Sequence, residues 1–186
     1  MHVIPAWLRS ARALPCVLGA AVLLPCLPGC SPALDWRETR LEGPGLMALF
    51  PCRPVAQSRQ LVLGETPVTM SLQACEADGN TYAVGLADVG DPARVAAALR
   101  ALSEASTAKL GPAAQAASQA LGVAGMTPQA MAGRWRLDGQ RPDGAALGME
   151  TAVFARGTWV VQASVIGGKP AAQAVAPFFE GLRFQP

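Results

Sequence analysis

The hexapeptide Val68-Thr69-Met70-Ser71-Leu72-Gln73 alternates apolar and polar residues, so Val68, Met70 and Leu72 share one face and Thr69, Ser71 and Gln73 the other. A period of two is that of a strand with one buried face. The flanking chain has the same grain. Glu42-Gly43-Pro44-Gly45, Gly64-Glu65-Thr66-Pro67 and Asp78-Gly79-Asn80 are turn-forming clusters that separate apolar runs of strand length. Strands are therefore predicted at Trp36–Leu41, Leu46–Pro51, Gln60–Leu63, Val68–Glu76 and Thr81–Asp88, joined as antiparallel hairpins.

At Asp91-Pro92 the period changes. Asp suits a helix N-cap and Pro the first helical position, and Val95, Leu99, Leu102 and Leu110 follow near helical spacing in an alanine-rich stretch. A long amphipathic helix is expected there. Gly111-Pro112 should break or kink it before a second helical piece, Ala113–Leu121, stopped by Gly122. Strand patterns return at Met131–Leu137, Leu147–Arg156 and Thr158–Ile166, with turns at Arg141-Pro142-Asp143-Gly144 and Arg156-Gly157, as a meander. A last helix near Ala171–Gly181 presents Val175, Phe178, Phe179 and Leu182, and Pro177 within it should bend it or mark a boundary. The order of elements predicts an α+β domain, an antiparallel sheet packed by helices.

The N-terminal region has a different pattern. The apolar run Ala13–Leu27, broken by Pro15 and Pro25, follows Arg9 and Arg12 and leads into Leu27-Pro28-Gly29-Cys30. The run is shorter than the ~20 residues of a spanning helix but suits the apolar core of a signal peptide. Its end has the layout of a lipobox. The expected organisation is a lipoprotein signal peptide at 1–29, a lipidated Cys30 with a short tether to residue 35, and one globular domain at 36–186. Acyl chains on Cys30 would hold the protein on a membrane, two or more giving stable anchoring. Fully extended, the tether spans less than ~20 Å. Ser31 after the cysteine points to sorting to the outer membrane. The competing reading is cleavage after Ser31-Pro32-Ala33 by the ordinary signal peptidase, which would release the protein.

Removal of such a signal changes the charge. Arg9 and Arg12 leave with it, so 13 of the 15 basic residues face 13 acidic ones, and the sole histidine, His2, is lost. A neutral chain without a basic run argues against nucleic acid as a partner. Without imidazole, Ser-His-Asp and Cys-His catalysis and the usual zinc sites are excluded. No cofactor is expected. Of five cysteines, Cys16 and Cys26 fall in the signal and Cys30 carries lipid. Cys52 and Cys75 remain as an even pair in an oxidising compartment, expected to be bridged. A redox-active pair would more often be Cys-x-x-Cys at a helix start.

Few residues suggest chemistry. Ser106-Thr107-Ala108-Lys109 fits Ser-x-x-Lys, but the Ser-x-Asn and Lys-Thr-Gly partners of that catalytic set are missing. Gly167-Gly168-Lys169 precedes a helix, yet Pro170 removes a donor that a phosphate site would use. Glu150 and Asp138 are the carboxylates that a histidine-independent hydrolase could draw on. Alternation in Met131–Leu137 places Arg134 and Arg136 opposite Gly133, Trp135 and Leu137. They are either a solvated sheet face or, with Arg141 or Arg156 nearby, a contact patch for an acidic ligand or partner.

The element order, Leu46–Pro51 and the closing Phe178-Phe179-Glu180-Gly181-Leu182-Arg183-Phe184 resemble the PsbP-like fold group, an α/β/α sandwich. That group includes the photosystem oxygen-evolving subunit, a Ran-binding nuclear import factor and many bacterial envelope lipoproteins. Asp35-Trp36-Arg37-Glu38, Phe50-Pro51-Cys52 and Arg141-Pro142-Asp143-Gly144 also resemble segments of betaproteobacterial lipoproteins. The resemblance implies a fold and supplies no catalytic residue. The expected function is a non-enzymatic envelope lipoprotein that binds or supports another protein at the periplasmic face of the outer membrane. The alternatives are a carrier of a small apolar ligand or lipid, and a hydrolase built on carboxylates.

Overall fold

In the computed structural model, residues 34–110, 115–141, 143–168 and 170–186 are described. The strands are β1 (Arg37–Leu41), β2 (Leu46–Phe50), β3 (Val55–Leu63), β4 (Thr66–Ala77), β5 (Asn80–Asp88), β6 (Gln115–Gln119), β7 (Gly133–Gln140), β8 (Ala146–Arg156), β9 (Trp159–Gly167) and β10 (Arg183–Phe184). The helices are α1 (Val95–Ala108), entered through a 3-10 turn at Pro92–Arg94, and α2 (Ala172–Glu180). The fold is α+β, and its strand pairings are antiparallel.

The strands form two sheets where one was expected. The larger has the order β3-β4-β5-β9-β8-β7-β6, and β1-β2-β10 make a smaller one. β10 pairs Arg183 with Met47 and Phe184 with Leu46. This separates the first hairpin from the main sheet and ties it to the last residues.

Tight turns set the registers of the main sheet. Gly64 has φ +64° and Glu65 is not left-handed, so Leu63-Gly64-Glu65-Thr66 is a type II′ turn. Asp78 (φ 48°) and Gly79 (φ 69°) close β4–β5 with a type I′ turn. Both turn types match the right-handed twist of the strands they join.

Alternate residues of the central strands then supply two cores. Tyr82, Val84, Ala152, Phe154, Val161, Ala163 and Val165 meet α2 and the small sheet through Phe50, Val175, Phe178 and Phe184. Their neighbours Ala87, Val153, Ala155 and Val160 meet Val95, Ala98, Leu99 and Leu102 of α1. The main sheet is thus covered by α1 on one side and by α2 with the small sheet on the other. Edge-to-face ring pairs fill the second interface, with Phe178 5.6 Å from Phe50, 5.5 Å from Tyr82 and 5.2 Å from Phe179.

Several expectations need correction. The segment expected as a helix at Ala113–Leu121 contains β6, paired through Ala117↔Arg136. Alanine favours helix, but β7 offers an unpaired row of backbone groups, and those ladder bonds override local preference; residues 111–114 lie outside the described set. β3 begins five residues before Gln60. It is an edge strand with both faces largely exposed, so its first half has no apolar alternation to read. The strand expected from Met131 starts at Gly133 and runs on to Gln140. Pro177 marks no boundary and lies inside α2. The expected Asp91 cap is present, its Oδ1 accepting from Ala93 N–H at 2.9 Å.

Candidate functional site

β7 and β8 position the residues that the sequence singled out. Arg134 and Arg136 share one face of β7, opposite Trp135 and Leu137, which pack toward the α1 side. On β8, Glu150 sits directly across from Arg136 and diagonally from Arg134. It is the one charged residue between Ala146 and Ala155 in a strand otherwise built for a core.

Arg134 reaches that carboxylate. Its Nε donates to Glu150 Oε1 at 2.6 Å, and its terminal nitrogen contacts the same oxygen. The side chains are 18% and 10% exposed. The guanidinium also lies over the Phe179 ring, 4.1 Å from its centroid. Sequence reasoning paired Arg134 with Arg136 and missed both of these partners. A lone carboxylate in the apolar run Leu147–Arg156 was the available signal.

Beside this pair is a cleft of about 220 Å³ lined by Ala120, Leu121, Val123, Arg134, Phe179 and Glu180, among others. Its charges are mixed, since Glu180 faces it with Arg134. An acidic ligand would therefore compete with Glu150 for Arg134 and meet Glu180 as well. Arg136 is half-buried on the same face.

The other two arginines serve elsewhere. Arg156 stacks on Phe184 at 5.3 Å and donates to the carbonyls of Gln185 (2.5 Å) and Pro44 (3.3 Å). It ties the C-terminal segment to the β1–β2 turn. Arg141 lines a different cleft of about 350 Å³ with Glu76, Asp78 and Asn80.

The Ser-x-x-Lys pair has a structural use. Ser106 is 1% exposed, donates to Leu102 O at 2.9 Å and accepts from Gln162 Nε2 at 2.6 Å. Lys109 is exposed. The serine pins α1 to β9. Asp138, the other carboxylate named for a hydrolase, is exposed and pairs across the ladder with Gly148.

Tyr82 has a perturbed titration. Burial, with a further contribution from the Asp78 charge, pushes its phenol above the ordinary value of 10.0. Its hydroxyl faces Ala174 O at 3.4 Å. That makes it a core residue of the α2 interface.

Cys52 and Cys75 meet at disulfide distance, their Cα atoms 6.0 Å apart. The expected lipidation residue Cys30, and Lys169 of the glycine-rich turn, lie outside the described residues.

One further surface has no counterpart in the sequence reading. β3 is the outermost strand of the main sheet, nine residues long and exposed from Val55 to Gln60. Val55 and Val62 are 64% and 62% exposed, the exposed large hydrophobic residues of the described chain.

No protein-family model matches the chain, and no curated protein matches it.

Proposed function

We propose that this chain is a non-enzymatic envelope lipoprotein of the PsbP-like fold group. It is anchored through lipid on Cys30 and binds another protein at the periplasmic face of the outer membrane. The observation that carries the reading is the β3 edge, a long strand with two exposed valines at the rim of a well-packed sheet. Exposed edges invite pairing with another chain, and proteins blunt them unless they are used. The place between sheet and α2 that a ligand carrier would keep open is filled by Phe50, Tyr82, Phe154 and Phe178, each fully buried. The conspicuous polar residues, Arg134, Glu150, Arg156 and Ser106, are engaged in holding elements together.

Formaldehyde crosslinking in intact cells of the native bacterium tests this reading over the whole surface. The expected result is a reproducible protein neighbour, retained by the wild type and lost by Cys30→Ser. Crosslinking that returns no reproducible neighbour overturns it.

A further inference from the structure

The turn that closes β3 onto β4 determines which backbone groups of β3 are free. A two-residue hairpin loop closes on a pair that exchanges both N–H···O=C bonds, so Leu63 and Thr66 bond each other. Antiparallel pairs alternate, and the bonded pairs that follow are Leu61↔Val68, Arg59↔Met70, Gln57↔Leu72 and Val55↔Ala74. Pro67, which has no N–H, falls at a non-bonded position and fits this phase. Ala56, Ser58, Gln60 and Val62 therefore turn their N–H and C=O groups away from β4. Among the described residues no backbone hydrogen bond reaches them.

Between Val55 and Leu63 the edge has little of the usual blunting. It has no proline, no lysine and no acidic residue; its single charge is Arg59, at the centre. The residue across from Arg59 is Met70. The flanking charges, Arg53 two residues before the strand and Glu65 two residues after it, are of opposite sign, so Arg59 sets the charge of the edge. Pairing with a second copy about the strand centre would set Arg59 against Arg59, and like charges directly opposite are destabilising.

We infer that β3 is a docking edge for an extended segment of a partner protein that adds as an antiparallel strand and carries a carboxylate opposite Arg59. Four outward-facing residues supply the backbone bonds, and Arg59 selects the charge of the incoming strand. This rests on the protein-binding reading above and deepens it by naming the surface and the chemistry of the occupant.

The test uses the full-length protein in detergent and an end-blocked nine-residue peptide of alternating threonine and valine with glutamate at its centre. Hydrogen exchange of individual β3 amides is followed with and without peptide. At saturating peptide the amides of Ala56, Ser58, Gln60 and Val62 should slow at least tenfold, while those of Gln57, Arg59 and Leu61, already bonded to β4, change little. A peptide with lysine at its centre should bind about two- to fivefold more weakly. Arg59→Glu should reverse that order. Ser58→Pro removes one outward N–H without touching the β3–β4 ladder and should abolish the protection; a peptide N-methylated at its bonding amides gives the same control on the wild type. Even exchange across β3 at millimolar peptide overturns the inference. So does protection that grows with protein concentration alone, because the occupant is then a second copy. Either result leaves the crosslinked neighbour of the intact cell in place, so loss of the edge and loss of the protein-binding reading are separable.

Discussion

Arg134 and Glu150 should be far more costly to separate than to remove together. Their charge centres are about 4 Å apart, which at an effective dielectric constant of ~20 is an attraction of about 4 kcal/mol. The side chains are 18% and 10% exposed, so most of their hydration has been given up. That loss costs several kcal/mol per ion and offsets much of the attraction. Arg134→Met keeps the bulk of the side chain but leaves Glu150 largely buried without its partner, and it removes the cation from the Phe179 ring. Glu150→Gln leaves the arginine without a counter-charge. Each should destabilise by about 3 kcal/mol, and the stacking adds about 1 kcal/mol to the arginine change. For a domain of this size that lowers Tm by about 6–12 °C. The double variant Arg134→Met with Glu150→Leu should return to within about 1 kcal/mol of the wild type, because both desolvation costs vanish with the charges. Urea unfolding of the four proteins, with midpoints compared at a common slope, measures the cycle. If either single variant unfolds within 0.5 kcal/mol (~) of the wild type, or the double variant loses the sum of both, the pair is not the clamp that the geometry describes.

Reduction of Cys52–Cys75 should cost about 3 kcal/mol for a loop of this length in the chain-entropy model, read as a lower urea midpoint in dithiothreitol. Because the Tyr82 phenol is raised in the fold, its contribution to stability is complete below pH 10 and is lost as pH rises through the higher folded value. Stability should therefore fall with pH above 10 more steeply in the wild type than in Tyr82→Phe, measured by urea unfolding along a pH series. Ser106→Ala should destabilise by about 1–2 kcal/mol by leaving Gln162 without its acceptor, whereas Lys109→Ala should stay within about 0.5 kcal/mol. Equal losses in thermal melts would mean that the helix turn, and not the Ser106–Gln162 bond, is what matters there.

The parts legible in the sequence were those where one residue type meets one environment. Alternation around Val68–Gln73, the helical spacing of Val95, Leu99 and Leu102 and the apolar run of β8 all report faces that are buried in the fold. The two outer strands of the main sheet were hard to read because little packs on them to impose a pattern. β6 is alanine and polar residues whose preference is helical, and it is held as a strand by the backbone of β7. The first half of β3 is exposed on both faces, so Ala56-Gln57-Ser58-Arg59 carries no period of two. Arg134 was legible as a position on a face but not as half of a pair, since its partners Glu150 and Phe179 lie 16 and 45 residues away in the chain. The strand phase alone could have offered Glu150 as a cross-strand neighbour; the contact with Phe179 depends on where α2 docks.

An edge strand with so little burial of its own would fray unless something else held it, and β3 is held at both ends. Leu63 is buried and Leu61 packs beside it under α1, with Val68 and Met70 from the facing strand. At the other end Cys52, just before Val55, is tied to Cys75, next to Ala74, which is the partner of Val55. Between these two anchors, Ala56 to Gln60 depend on the ladder to β4 alone. The consequence is an edge whose outward amides are open to a partner while its backbone is already extended, so a docking strand would not bear the entropy of ordering it. The disulfide then does more than add stability to the whole domain. Its loss should loosen the Val55 end of β3 first, by local opening well below the global unfolding energy, and so weaken strand docking under conditions where the rest of the fold persists.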